Sequence, residues 1–103
     1  MTLDTLINTA KERGASDIHL KTSLPAALRI SSNLQVFGEP VAANDMMAMA
    51  MEVVGDDCWA QFSERGSFDQ SQTIEGVRCR INVLKTARGL GMAIRLLSSF
   101  LNA

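Results

Sequence analysis

Two arginines on neighbouring segments of this chain have the type and spacing to bind an anion. Arg80 lies within the segment RCRINV at residues 78–83, and Arg95 follows it by fifteen residues. Both segments alternate apolar and polar side chains, which is typical of half-buried β-strands. If Lys85 pairs with Leu90 across a short loop, the two strands form a hairpin in which Arg80 lies directly opposite Arg95. Like charges in that position destabilise a sheet unless an anionic group lies between them.

Two kinds of partner would satisfy this arginine pair. A bound anion such as a phosphate group would use the guanidinium fork, which donates two hydrogen bonds and stays charged. A carboxylate of the chain itself would also serve, and Asp69 on the preceding strand is the obvious candidate. The pattern by itself leaves both partners open.

Other chemistries lack the residues they need. No G-x-x-x-x-G-K-[ST] phosphate loop occurs in the sequence, and the lone G-x-G at residues 89–91 is typical of a hairpin turn. His19 is the only histidine, which excludes the usual zinc spacings and a Cys-His pair of any specificity. Cys58 and Cys79 fall in apolar patterns and are predicted to be buried thiols in a reducing cytoplasm. We therefore expect no catalytic residue and no metal site in this chain.

Composition and charge indicate which classes of binding partner this chain could have. The 103 residues are 47% hydrophobic, which fits one soluble domain, and no apolar run approaches the ~20 residues of a membrane span. The formal net charge of −1 hides an asymmetry, since residues 39–75 carry −7 and residues 76–103 carry +5. Such segregation indicates packing against another domain or subunit, or phosphate binding. Nucleic-acid binding is not expected, because the basic end offers only Phe100 for base stacking.

The elements that must position the arginines follow the order α-β-β-β-α-α-β-β-β. Strands are predicted at residues 16–21, 27–31, 34–37, 67–74, 77–83 and 90–97. A first helix begins after Thr2 or Asp4 and ends at Gly14; a second is capped by Asn44 or Asp45, and a third by Asp56 or Asp57. The order predicts an α+β fold with a mostly antiparallel sheet of five or six strands and helices on one face, similar to PAS domains.

Three local features carry specific expectations. A tight turn is predicted at residues 32–33, because asparagine tolerates a positive φ. Four methionines at residues 46, 47, 49 and 51 follow helical spacing and are predicted to lie mainly in the core rather than on a docking surface. Gln70 and Gln72 would share a face with Cys79, so either this edge of the sheet is exposed or a bulge turns the glutamines away.

Several of these segments together resemble a known family. They are GASDIHL at residues 14–20, LP at 24–25, LRI at 28–30, RCRIN at 78–82 and Ile94-Arg95. In this order and spacing they resemble the N-terminal domain of the ATPases that drive type II secretion and type IV pili, most of all the pilus-retraction members. Asn33 departs from the glycine usual in the family's first hairpin, and Cys79 from the usual aromatic residue.

The resemblance implies a role within a larger protein. Residues 1–97 would be the PAS-like N-terminal domain, and residues 98–103 would begin the linker to a RecA-like motor domain that this chain lacks. The motor domain would hold ATP and Mg²⁺ and hydrolyse ATP, which this chain would not do unaided. The resemblance further implies that Arg80 and Arg95 reach the ATP phosphates, with Arg78 as a weaker third candidate.

The implied partners and location follow from the same resemblance. They are the motor domain of the same or a neighbouring subunit, five further subunits in a homo-hexamer, and a platform protein of the pilus or secretion system at the inner face of the cytoplasmic membrane. The start at Met1 favours a retraction motor over an extension or secretion motor. Two alternatives stay open, namely a stand-alone PAS-like ligand sensor and a protein-interaction module whose arginines pair with Asp69.

Overall fold

The computed structural model describes residues 2–97 and confirms the predicted order of elements. The helices are α1 (Leu3–Arg13), α2 (Ala43–Val54) and α3 (Asp56–Arg65), and the strands are β1 (Asp17–Lys21), β2 (Pro25–Ile30), β3 (Asn33–Pro40), β4 (Ser67–Ile74), β5 (Val77–Thr86) and β6 (Gly89–Leu96). The predicted linker at residues 98–103 lies outside the described residues. Within residues 2–97, no helix is long and apolar enough to cross a membrane.

All six strands form one sheet in the order β3-β2-β1-β6-β5-β4, and every neighbouring pair is antiparallel. The first and last strands therefore lie side by side at the centre. The three helices pack on one face, where their buried side chains join those of the strands in a single core. The predicted α+β, PAS-like fold is confirmed. We call the opposite sheet face, which carries Arg80 and Arg95, the open face.

Alternation of side chains along the central strands builds the core. In β5, Val77, Cys79, Ile81 and Val83 are buried. Across the ladder with β6, Cys79 faces Leu96, Ile81 faces Ile94 and Val83 faces Met92, and these three β6 residues are buried as well. From the helices, Phe62 is the largest fully buried side chain, and Trp59 contacts it with ring centroids 5.2 Å apart. Burial of each large apolar side chain stabilises the fold by about 1.5–3 kcal/mol.

The helix ends agree with the sequence only in part. The Thr2 hydroxyl accepts a hydrogen bond from the Thr5 backbone N–H at 3.2 Å, and Gly14 ends α1 with a φ of 70°. Acidic or amide caps were predicted for α2 and α3, but those predictions are wrong: the N-caps are Ala42 and Gly55, and neither supplies a side-chain hydrogen bond. Asp45, Asp56 and Asp57 instead lie inside the first turns, where they interact favourably with the helix dipole.

The first hairpin turns one residue earlier than predicted. Ser31 and Ser32 have φ values of 50° and 73°, and Ile30 pairs with Asn33 across the turn. Ladder pairing places Leu28 of β2 in the core, and this register leaves only the two serines for the loop. Pairing between strands therefore overrides the local preference of Asn33 for a positive φ.

The methionine prediction for α2 is half right. Met46 and Met49 are buried in the core, whereas Met47 and Met51 are exposed on the outer side of the helix. Because α2 contacts the rest of the domain along one stripe, residues separated by four positions stay together on the side facing solvent. Met47 and Met51 thus form an apolar ridge on the surface.

The edge strand β4 shows which of the two alternatives for Gln70 and Gln72, an exposed edge or a bulge, is correct. Pairing with β5 is continuous from Ser67 to Ile74, so no bulge occurs. Gln70 is exposed at the sheet edge, while Gln72 is half-buried and donates a hydrogen bond from Nε2 to the Val53 carbonyl at 3.0 Å. The Gln72 amide thereby satisfies one of the last carbonyls of α2, which have no partner within the helix.

We predict that Gln72→Ala destabilises the domain and that Gln70→Ala does not. Loss of the hydrogen bond to Val53 should lower the free energy of unfolding by about 1 kcal/mol, and the matched change at Gln70 should shift it by less than about 0.5 kcal/mol. Urea denaturation of both variants measures this. Equal effects would contradict the role assigned to Gln72.

Candidate functional site

One row of side chains crosses the open face and carries the charges of the candidate site. Direct cross-strand pairing links Arg29 to Asp17, Asp17 to Arg95, and Arg95 to Arg80. The predicted register of the arginine hairpin is confirmed, since Lys85 pairs with Leu90 and Arg80 pairs with Arg95. Rigid strands rather than loops therefore hold the two arginines next to each other.

Asp17 is the carboxylate that sequence reasoning missed. Its Oδ1 accepts a hydrogen bond from Arg95 Nε at 3.3 Å, and its Oδ2 accepts one from the Ser16 hydroxyl at 2.7 Å and lies 3.9 Å from Arg29 Nε. The Asp17 side chain is only 14% exposed, whereas that of Arg95 is 70% exposed. The alternating pattern of β1 predicts that Asp17 lies on the polar face of the sheet. Only the pairing of β1 with β6 brings Asp17 next to Arg95.

Asp69 is the partner of Arg80, as one of the two sequence-based alternatives predicted. Arg80 Nη2 lies 3.4 Å from Asp69 Oδ2, and the two side chains are 63% and 49% exposed. An ion pair this exposed contributes about 0–1 kcal/mol, because water screens it and two long side chains lose freedom. The contact is therefore weak enough for a competing anion to break it.

A shallow depression lies between these groups. It has a volume of about 270 Å³, and its lining includes both arginines, both aspartates, His19 and Asn82. Arg78, the third sequence candidate, is exposed and does not line it. Asn82 donates a hydrogen bond to the Phe68 carbonyl at 3.3 Å, which holds its amide at the rim. Each arginine that lines the depression has one aspartate contact, and Arg29 adds a third positive charge beside Asp17.

A second, mainly apolar depression of about 320 Å³ adjoins the first. Its lining includes His19, Leu24, Ala27, Arg29 and Leu34. The half-buried His19 borders both depressions. Within residues 2–97, no group of three or more His, Cys, Asp or Glu side chains is placed to hold a metal ion.

The environment of Asp17 changes its acidity. Burial raises the pKa of the Asp17 carboxyl. Hydrogen bonds from Ser16 and Arg95 and the positive charge of Arg95 lower it by more than burial raises it, so the net pKa falls below the ordinary 3.8. The carboxylate therefore stays ionised at neutral pH. The Cys79 thiol shows the opposite effect, since its burial raises its pKa above the ordinary 9.0 and keeps it unreactive.

Comparison with known proteins finds relatives of this chain in sequence and in fold. No protein-family model matches the chain. In sequence it is 28% identical over 101 residues to the type IV pilus retraction ATPase PilT of Pseudomonas aeruginosa, across 96% of this chain. In structure it matches the crystal structure of the pilus retraction motor PilT with bound ADP at a TM-score of 0.85 and 29% identity, again across 96% of this chain. The chain is similar in sequence and fold to the N-terminal domain of PilT-like ATPases.

The comparison also sets the limits of the likeness to PilT. The chain spans only 29% of the curated PilT sequence and 30% of the PilT chain in the crystal structure. The ATPases DotB of Legionella pneumophila and Yersinia pseudotuberculosis share the fold, with TM-scores of 0.78 and 0.75 over 92% and 91% of this chain. The chain covers 28% and 29% of those proteins, and at 16% and 12% identity they support the fold alone.

We predict that Asp17 stabilises the domain in a pH-dependent way. Because its pKa is lower in the folded state, the stabilisation is fully present above the unfolded value of about 3.8 and is lost as the pH falls through the folded value. The difference in free energy of unfolding between wild type and Asp17→Asn should therefore shrink as the pH is lowered from 6 towards 3, by roughly 1 kcal/mol or less. Urea denaturation across that range measures it. A difference that stays constant or grows at low pH would contradict the assignment.

Proposed function

We propose that this chain is the N-terminal domain of a hexameric, PilT-like ATPase of a type IV pilus or related secretion system. In this proposal Arg80 and Arg95 donate hydrogen bonds to the phosphates of ATP bound by the motor domain. The observation that carries it is the arginine pair itself, juxtaposed on the sheet face opposite the helices within a fold similar to that of PilT. Each guanidinium has a single, long contact to a carboxylate and keeps further N–H donors for a ligand.

The proposal assigns distinct work to the two domains. A RecA-like motor domain, which this chain lacks, would hold Mg²⁺ and the phosphate loop and would carry the hydrolysis itself. This chain would bind and orient the outer phosphates and exclude water from the cleft when the two domains close. Arginine suits that task because its fork matches phosphate oxygens and its charge is permanent. Arg78 stays a secondary candidate that would need a larger ligand to be reached.

Charge distribution supports the proposed partners. The acidic segment at residues 39–75 and the basic segment at residues 76–103 are complementary to each other and to oppositely charged partners. We propose that charged side chains of these two segments contact motor domains of the same or a neighbouring subunit within the hexamer. We further propose a cytoplasmic location at the inner face of the membrane, in contact with a pilus or secretion platform protein. The role that we propose for the whole protein is pilus retraction, the activity for which PilT is named.

The test is made in the full-length ATPase that contains this domain. Arg80→Gln and Arg95→Gln should each lower ATP turnover by about tenfold, since each removes a charge-assisted hydrogen bond to a phosphate. The domain should remain folded, because both side chains are exposed and contribute little to the core. The matched control is Arg88→Gln, which removes an exposed arginine at the β5–β6 turn, away from the depression.

Wild-type turnover in both arginine variants would overturn the proposed function. It would favour the second candidate, a protein-interaction module, which two observations support. Arg80 is paired with Asp69, and Met47 and Met51 form an exposed apolar ridge on α2, a helix that also carries Asp45 and Glu52. Under that reading, the change Met47→Ala would weaken a defined complex and leave ATP turnover unchanged.

A further inference from the structure

The two carboxylates hold the two arginines in different ways. Asp17 contacts Arg95 through Nε, whereas Asp69 contacts Arg80 through Nη2. A guanidinium binds a phosphate most strongly through two N–H groups on one edge, either Nη1 with Nη2 or Nε with Nη2. The Nη1–Nη2 edge of Arg95 therefore stays available while Asp17 holds its Nε. In Arg80, Asp69 contacts Nη2, which has one hydrogen on each edge, so this contact engages one of the two edges.

The two aspartates also differ in how firmly they are fixed. Asp17 is largely buried and receives a second hydrogen bond from Ser16 on its other oxygen. Arg29 lies on its far side and offsets its charge. Asp69 is half exposed, and its contact with Arg80 spans 3.4 Å at the edge of the sheet. A fixed carboxylate restrains the arginine that it contacts, and a solvated one is readily displaced.

We propose that the two carboxylates act on the anion site in opposite directions: Asp17 is a positioning residue that presents the free edge of Arg95, and Asp69 is a competitor that a phosphate must displace from Arg80. This inference rests on the proposed function, in which the site receives phosphate groups. It adds an exchange step to ligand entry, in which Arg80 leaves Asp69 and joins Arg95 on the ligand. In the unliganded state the two carboxylates offset the repulsion between the paired arginines.

The test compares matched variants of this chain with inorganic triphosphate as the probe. At low ionic strength, where charges are least screened, NMR titration gives the dissociation constant. Asp69→Ala should tighten triphosphate binding by about threefold, and Asp17→Ala should weaken it by about threefold, as expected for exposed ion pairs. Asp17→Asn, which keeps an oxygen acceptor facing Arg95 Nε, should recover part of the loss. In Asp17→Ala the Nε–Hε resonance of Arg95 should shift before any ligand is added.

A model based on net charge alone gives a different result, because removing either negative charge would then tighten binding. Tighter binding in both alanine variants, or in Asp17→Asn and Asp69→Asn if Asp17→Ala does not fold, would overturn the inference and leave the proposed function intact. Failure of the proposed function looks different. In that case wild type would bind triphosphate no better than the double variant Arg80→Gln/Arg95→Gln, and the inference would fall with it.

Discussion

The alternation of side chains along the central strands is the constraint on which the rest of this structure depends. Ile81 of β5 faces Ile94 of β6 in the core, and the same pairing forces Arg80 opposite Arg95 on the open face. A slip of one residue would bury the arginines and expose the core. Burial of each apolar side chain contributes about 1.5–3 kcal/mol, whereas a like-charge pair on the surface costs about 0.2–1 kcal/mol. The core therefore holds together two charges that repel each other.

In the proposed function, that imposed repulsion is what makes the open face responsive to anions. Asp17 and Asp69 neutralise the arginines in the free domain, but through single, long contacts that leave donors unused. The helices cover the other face and fix the sheet through the shared core. A phosphate ligand would thus meet a prearranged pair of guanidinium groups rather than order them from a flexible loop, which lowers the entropic cost of binding.

Local patterns in the sequence predict the features that local physics determines. The register of Arg80 and Arg95, the order of elements and the resemblance to pilus and secretion ATPases all follow from alternation, turn residues and motif spacing. Features that depend on contacts between elements far apart in the chain cannot be predicted from these local patterns. Asp17 reaches Arg95 only because the first and last strands are neighbours, Gln72 finds α2 across the core, and Met47 faces solvent because of how α2 is seated.

The most direct measurement is a structure of the full-length ATPase that contains this domain, determined with a non-hydrolysable ATP analogue bound. The account predicts that Arg80 and Arg95 both lie within about 3 Å of phosphate oxygens, with Arg80 released from Asp69 and Arg95 still in contact with Asp17. A structure in which both arginines keep their aspartate partners and stay apart from the nucleotide would contradict the central claim.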